Sequence, residues 1–358
     1  MCRVAVLLAL LTATACSPEV VIGYAPALAS DGGPDASMDA ATDAAEPEPL
    51  PEVTWPSGGH PGNELQTYLD FGTWRGRPTE IAHVFPDRAS WDGIVTPSWP
   101  VDMFEPFEGT LILSLPPYPE AMGNDLDCAM GMYDAEWAKL GTFLVERGRA
   151  DTIVRLSWGP NDTEHYWQVP SDAAGTVLDA DIGAFVACFR RIVDTVRTTD
   201  PEVRIDWSFN PVGAPNIATF DPYLTYPGDD YVDFVGMEVF DMYPPVTTDA
   251  EWDAVCTAPT GLCTLAQFAR LHGKQLGIAE WAVIGCGADG QPDPTNVGGD
   301  NAFFVRKVVQ TFADNADIMA YDAYFEDSTG VCSTINDGTT NSNAAAMYQA
   351  IYGAAPRQ

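Results

Sequence analysis

Eight short runs rich in β-branched and aromatic residues recur along the chain, and most of the gaps between them have helical periodicity. Alternation of this kind predicts a parallel sheet, because a crossover helix joins neighbouring parallel strands. Eight such units predict an α/β protein with a closed (β/α)8 TIM barrel. An open doubly wound sheet is the main rival, but it usually carries a glycine-rich phosphate loop after its first strand, and the sequence contains none. The predicted strands cover residues 68–71, 80–85, 110–115, 152–158, 203–209, 231–240, 274–281 and 317–325, and the clearest helices cover 134–148, 181–198, 265–273 and 301–315.

The beginning of the chain has the composition of an export signal. Arg3 precedes an apolar run that ends in small residues before Cys16, which predicts a signal peptide over residues 1–15. The apolar run is too short to span a bilayer. Residues 13–16 resemble a bacterial lipobox, so we expect Cys16 to be lipidated, with ordinary secretion as the alternative. Ser17 after the cysteine favours the outer membrane or cell surface.

A second composition change separates the export signal from the folded part. Residues 16–55 are rich in Ala, Asp, Glu and Pro, contain no Lys or Arg, and hold too few large apolar side chains to fold alone. They predict an extended acidic tether. Residues 56–358 fit one barrel domain better than two small domains, and we expect it to act as a monomer.

The charge of the chain restricts its partners. The 51 acidic and 17 basic residues give a formal net charge of −34. Nucleic acid is excluded as a partner, because phosphate contacts need clustered Lys and Arg. An anionic polysaccharide is disfavoured for the same reason, whereas a neutral glycan is compatible with this charge. We expect membrane contact only through the lipid anchor.

Cysteine usage agrees with export. Apart from Cys2 and Cys16, the count is even, which in an exported chain predicts disulfides, although fifteen pairings are formally possible. Cys256 with Cys263 is the favoured local pair. No CxxC spacing occurs and the histidines are scattered, so we expect no metal site. The cysteines concerned are Cys128, Cys188, Cys256, Cys263, Cys286 and Cys332.

The carboxyl ends of the predicted strands carry the candidate site, because barrel enzymes place their active sites there. These ends hold carboxylates, amides and aromatic rings, which suit a sugar, and no nucleotide cradle, so we expect no cofactor. Glu280 closes an apolar strand, where its charge is costly to bury unless the site uses it or Arg155 pairs with it. The candidate substrate-binding residues are Arg155, Trp158, Asn161, Trp167, Trp207, Glu238, Tyr243 and Trp281.

Four segments resemble, in order, strands four to seven of glycoside hydrolase family 26, the β-mannanase-like enzymes. They are IVRLSWGPN (153–161), WSFNP (207–211), YPGDDYVDFVGMEVFDMYP (226–244) and the GIAEW that contains Glu280. The resemblance covers roughly residues 150–285. It implies a retaining hydrolase of a neutral β-linked polysaccharide such as mannan, glucan or xylan, with Glu280 as the nucleophile.

The chain departs from the family at the acid/base position. Gly159 stands where the family carries the acid/base Glu, and Glu238 stands where Asp is usual. Because Gly159 cannot donate a proton, a catalyst of this kind needs a relocated acid. Glu164 is the preferred candidate for its reach and aromatic neighbours, with Asp162 and Glu238 as alternatives. A catalytically weakened lipoprotein that only binds glycan is the second function class.

Overall fold

Eight parallel strands close into a barrel in which each strand pairs with the next and β8 pairs with β1. The structure is a computed structural model and describes residues 49–172, 174–287 and 290–354. The predicted (β/α)8 TIM barrel is confirmed. The strands are β1 (Ser57–His60), β2 (Ile81–Val84), β3 (Thr110–Leu115), β4 (Ile153–Leu156), β5 (Arg204–Phe209), β6 (Phe234–Phe240), β7 (Gln275–Ala282) and β8 (Met319–Phe325).

Helices fill the connections between the strands, and the four clearest predicted helices are confirmed. The longest shows why the periodicity was informative: its buried side chains, from Phe185 to Val196, recur every three or four residues and face the barrel. The helices are α1 (Leu65–Arg75), α2 (Trp91–Val95), α3 (Ser98–Val101), α4 (Asp125–Ala129), α5 (Asp134–Glu146), α6 (Asp179–Arg197), α7 (Asp249–Cys256), α8 (Leu262–His272), α9 (Ala302–Asp314) and α10 (Ser342–Tyr352).

The first strand lies elsewhere than predicted. Residues 68–71 belong to α1, where Tyr68 and Phe71 share the buried face of a helix. The barrel instead begins with the sequence SGGH, which contains no β-branched residue. A side chain at Gly58 would place its Cβ 1.8 Å from the carbonyl oxygen of Ile81. The close approach of β1 to β2 therefore requires glycine, and glycine hides the strand from a hydrophobic pattern.

A bulge in β7 sets the direction of the residues around Glu280. Leu276 pairs with Val235 of β6, and Glu280 pairs with Glu238, so β7 uses one more residue than β6 between the two pairs. The register against β8 shifts over the same stretch. A bulge of this kind turns the following side chains to the opposite face of the strand. It directs Glu280 into the barrel.

The same bulge turns Trp281 outward. Its ring packs against Phe312 of α9 and Tyr348 of α10, and its indole nitrogen donates to Asp322 over 2.9 Å. Asp322 is fully buried and also accepts a hydrogen bond from the indole of Trp55 over 2.6 Å. The expectation that Trp281 lies at the barrel mouth is wrong, because it belongs to the core between barrel and helices.

The described chain starts before the predicted domain boundary. Val53 and Trp55 are buried, and Trp55 makes the contact with Asp322 described above. Residues 49–55, predicted as part of the tether, thus pack with the barrel and lead into its N-terminal end at Ser57. The predicted signal peptide, Cys16 and most of the tether lie outside the described residues.

Three disulfides join the six cysteines of the folded part. Cys256 pairs with Cys263, as predicted. Cys128 of α4 pairs with Cys188 of α6, and Cys286 pairs with Cys332, which ties the loop after β7 to the loop after β8. None of the helices within the described ranges has the length and apolar character needed to cross a bilayer.

Candidate active site

A cavity of about 690 Å³ opens at the carboxyl ends of the barrel strands. Its walls combine aromatic rings, carboxylates and amides, as the sequence predicted for this end of the barrel. The rings are those of His60, Phe85, Trp158, His165, Phe240, Tyr243, Trp252, Phe304 and Phe325, and the carboxylates are Asp162, Glu238, Asp241, Glu280 and Asp327. The polar lining also includes Asn210, Asn216, Thr260 and the cation Arg88.

The base of the cavity is organised by one buried arginine. Arg155 of β4 is 1% exposed, and its two terminal nitrogens bind different carboxylates. Nη1 donates to Glu280, and Nη2 donates to Glu238 over 3.2 Å. Nε donates to the Ser208 hydroxyl of β5 over 2.9 Å. A single guanidinium therefore links strands β4, β5, β6 and β7 below the cavity.

Two carboxylates share this one positive charge, and the pKa of Glu238 is affected. Burial and the neighbouring Glu280 together raise the pKa of Glu238 well above its usual value, and Arg155 only partly opposes them. Burial alone would lower the pKa of Arg155, but Glu280 and Glu238 reverse that effect and raise it. The site therefore holds a cation beside a glutamate whose protonated form is favoured by its surroundings.

A second polar layer lies deeper in the barrel. The Tyr321 hydroxyl donates to Asp206 over 2.5 Å, and burial raises the pKa of Asp206 to about 7. His83 shares a hydrogen bond with the Ser114 hydroxyl over 2.7 Å and is fully buried. These groups support Arg155 from below and do not line the cavity.

A histidine ring lies beside Gly159, the position after β4 where the family resemblance implies a glutamate. Gly159 has φ +57°, and a Cβ there would lie 3.1 Å from the imidazole of His165. The His165 Nδ1–H donates to the Gly159 carbonyl over 3.2 Å, and the ring stacks on Trp167 with centroids 4.3 Å apart. Burial lowers the pKa of His165, so the ring is neutral at neutral pH. An imidazole thus fills the space that Gly159 leaves.

Several predicted site residues meet at the cavity. Trp158, Glu238, Tyr243 and Glu280 line it, with Arg155 directly beneath. Their side chains come from three strands, β4, β6 and β7, and the loops that follow them, which the closed barrel brings together.

Two other predicted residues stand behind the cavity wall. The Asn161 amide donates to the Asn210 carbonyl over 2.7 Å and accepts from the Asn210 N–H over 3.0 Å, so it fixes the loop after β5. Trp167 is buried behind His165 and donates to the Trp158 carbonyl over 2.8 Å.

Two other predicted site residues, Trp207 and Glu164, lie outside the cavity, so these two predictions are wrong. Trp207 faces away from the barrel interior, because Asp206 and Ser208 on either side of it point inward; it packs on Tyr226 and Phe268. Glu164 is exposed and lies outside the cavity lining. Its backbone N–H donates to Asp162 within a tight turn, which positions Asp162 rather than Glu164 at the cavity.

Three residues that line the cavity were not predicted from the sequence: His60, His165 and Arg88. The His60 Nδ1–H donates to the His83 carbonyl over 2.8 Å, and its ring stacks on Phe325 at 5.4 Å. His60 ends the glycine-containing strand that the hydrophobic pattern did not reveal. The sequence signal for His60 is its position directly after a pair of glycines near the start of the barrel. Within residues 49–172, 174–287 and 290–354, no group of three or more His, Cys, Asp or Glu side chains is arranged to hold a metal ion.

Comparison with solved structures places the fold among the family 26 mannanases. A mannanase of Bacillus subtilis is 14% identical with a TM-score of 0.53, over 83% of this chain and 85% of that one. The catalytic domain of a family 26 endo-β-1,4-mannanase from a Bacillus species is 15% identical with a TM-score of 0.54, over 79% and 78%. A modular endo-β-1,4-mannanase of Cellulomonas fimi is 15% identical with a TM-score of 0.55, over 80% and 66%.

These likenesses confirm the expected resemblance at the level of the fold. No protein-family model matches the chain, and no curated protein does. At this identity the shared property is the barrel itself, and the chemistry has to be argued from the residues of this chain.

We predict that Arg155→Met destabilises the protein in a pH-dependent way. Without the guanidinium, nothing offsets the effect of burial and of the neighbouring Glu280 on Glu238, so the pKa of Glu238 in the folded state rises further above its value in the unfolded state. Such a group contributes stability below the unfolded pKa, and that stability is lost as the pH rises through the folded pKa. The loss should be about 3–5 kcal/mol near neutral pH and should shrink on acidification.

Urea denaturation at about pH 7 and about pH 4.5 measures this difference, since the carboxyl groups of the unfolded chain titrate near the lower value. Arg147→Met is the matched control, because Arg147 pairs with the half-exposed Asp102 at the surface. An equal loss at both pH values for Arg155→Met would contradict the assignment.

Proposed function

We propose that the protein is a glycoside hydrolase that acts on a neutral β-linked polysaccharide such as mannan, glucan or xylan. The observation that carries the proposal is the placement of Glu280. The bulge in β7 turns its carboxylate inward, Arg155 holds it, and it faces a cavity walled by aromatic rings. Aromatic rings stack on the apolar faces of sugars, and a fixed carboxylate supplies the nucleophile.

The proposed reaction proceeds with retention of configuration. Glu280 attacks the anomeric carbon, the glycosidic bond breaks, and a glycosyl ester forms on Glu280. Water then attacks the same carbon and releases the ester. Arg155 holds Glu280, which is the nucleophile in the first step and the leaving group in the second, and Trp158, Tyr243 and Phe325 supply ring surfaces for the pyranosides on either side of the bond.

The charge of the cavity supports a neutral substrate. Asp162, Asp241 and Asp327 line it together with Glu238 and Glu280, and only Arg155 and Arg88 oppose them among the residues described at this site. An anionic sugar would be repelled. Since solved structures with this fold are named mannanases, β-mannan is the first polymer to test.

A second function, capture of a glycan without cleavage, is favoured by one observation. Gly159 provides no carboxyl group, and His165 occupies the adjoining space. A cavity with a working nucleophile but no proton donor would bind polysaccharide and hydrolyse it very slowly. The two functions differ in their response to a substrate whose leaving group needs no proton.

We also propose that the mature protein is exported and anchored through a lipid on Cys16, at the outer membrane or cell surface. The support is the sequence of residues 1–17. In a bacterial host the wild type should sediment with membranes, and Cys16→Ser should appear in the soluble exported fraction. Membrane association that survives Cys16→Ser would contradict the anchor.

The enzymatic proposal predicts turnover of an activated aryl glycoside. Wild type should release 2,4-dinitrophenol from 2,4-dinitrophenyl β-mannoside or β-glucoside, because this leaving group departs without protonation. Glu280→Gln removes the nucleophile and should lower kcat/KM by at least about 10³-fold. Absorbance of the released phenol measures both, and circular dichroism checks that the variant is folded. A wild type that binds mannan oligosaccharides in calorimetry but cleaves no aryl glycoside would establish the second function instead.

A further inference from the structure

We propose that Glu238 of β6 is the proton donor for this reaction, in place of the carboxyl group that the family resemblance expects at position 159. The inference rests on the proposed glycosidase function and names the residue that completes it. Three structural observations support it: the His165 ring beside Gly159, the position of Glu238 next to Glu280, and the hydrogen bonds made by the other carboxylates of the cavity.

The position after β4 supplies no proton. Gly159 has no side chain, and the space beside it holds the imidazole of His165. The one proton of the neutral ring sits on Nδ1 and is donated to the Gly159 carbonyl, so Nε2 carries none. His165 therefore cannot act as the acid while this hydrogen bond is kept.

Glu238 lies beside the nucleophile. It is the cross-strand partner of Glu280, and both side chains reach the same guanidinium from neighbouring strands. Its side chain is 12% exposed and lines the cavity. Two carboxyl groups side by side at the floor of a sugar cleft are the minimum set for a retaining glycosidase.

The groups that face Glu238 favour its acid form. The carboxyl groups of Glu280 on β7 and Asp162 in the loop after β4 face it, Arg155 on β4 is the cation that binds it, and Asp206 lies deeper on β5. Burial and Glu280 raise the pKa of Glu238 well above its usual value. In glycosidases the acid and the nucleophile usually lie in environments that push their pKa values apart.

The other carboxyl groups of the cavity are already engaged. Asp327 accepts backbone hydrogen bonds from Thr329 and Gly330, which outweigh burial and lower its pKa. Asp241 accepts from the Asn301 amide over 2.7 Å and from the Val246 N–H over 3.0 Å, so it holds the surrounding loops. Asp162 accepts from the Glu164 N–H over 2.9 Å and from the Asn210 amide over 3.3 Å. None of these three carboxyl groups shares a hydrogen-bond partner with Glu280.

The reaction then balances with one water molecule. As Glu280 forms its bond to the anomeric carbon, Glu238 gives its proton to the glycosidic oxygen, and the leaving sugar departs as an alcohol. In the second step the Glu238 carboxylate takes a proton from water while the water oxygen attacks the anomeric carbon. The ester breaks, Glu280 leaves as a carboxylate, and Glu238 is protonated again.

The test compares Glu238→Gln with Glu164→Gln, the same substitution at the exposed glutamate outside the cavity. Glu238→Gln should lower kcat/KM on mannan or its oligosaccharides by about 10²–10⁴-fold. Formation of the glycosyl-enzyme from the 2,4-dinitrophenyl glycoside should stay near the wild-type rate. Azide should accelerate turnover of that substrate by Glu238→Gln and yield the β-glycosyl azide. Glu164→Gln should match the wild type throughout.

The pH profile gives an independent readout. In the wild type kcat/KM on the polymer should fall as the pH rises through the pKa of Glu238, because the donor loses its proton. This basic limb should be absent from the residual polymer hydrolysis by Glu238→Gln. A merely structural role for Glu238 would leave the limb in place and would slow both substrates alike.

Each outcome bears on the assignment. Polymer hydrolysis that survives Glu238→Gln, or that is lost in Glu164→Gln instead, would overturn it. If Glu238→Gln does not fold, Glu238→Asp repeats the test with a shorter acid: partial polymer hydrolysis with a displaced basic limb supports the donor, and an unchanged rate and profile overturns it. A wild type that cleaves no glycoside at all disproves the hydrolase function, which is a distinct result.

Discussion

The buried guanidinium of Arg155 is the interaction on which the site depends. Its contacts reach Ser114, Ser208, Glu238 and Glu280, and therefore four strands besides its own. A buried arginine is expensive to desolvate, and the cost is offset only when its donors meet well-placed acceptors. Because one cation serves two glutamates, the same arrangement that fixes their positions also leaves the pKa of Glu238 raised. Structure and proposed chemistry thus have a common cause.

The segment after β4 shows how a barrel of this kind can change at one position. Gly159 adopts φ +57°, and the loop that follows brings His165 and Trp167 back against Trp158. The result is a packed aromatic wall where the family resemblance implies a carboxyl group. A substitution at residue 159 alone would not recreate that group, because a side chain there meets the His165 ring and an unfavourable backbone conformation. The proposed proton donor, Glu238, comes from another strand.

Much of the fold could be predicted from the sequence, since seven of the predicted strands and the four clearest helices follow simple periodicities. The first strand could not, because the glycine that lets β1 approach β2 removes the apolar signal. For the site, Glu280, Glu238, Trp158 and Tyr243 were found from strand ends. Trp281 was misplaced because a bulge is a tertiary feature that shifts the alternation by one residue. The turn at Asp162 places His165 at the cavity and leaves Glu164, the predicted residue, exposed outside it.

The covalent bond that we propose between Glu280 and the sugar can be trapped. The protein is incubated with an activated 2-deoxy-2-fluoro-β-glycoside, such as the mannoside, and the adduct is mapped by peptide mass spectrometry. The fluorine slows release of the ester, so the glycosyl-enzyme accumulates. We expect one sugar per chain on the peptide that contains Glu280, and none in Glu280→Gln. An adduct on Glu238 or another carboxylate, or no adduct with a protein that binds the sugar, would contradict it.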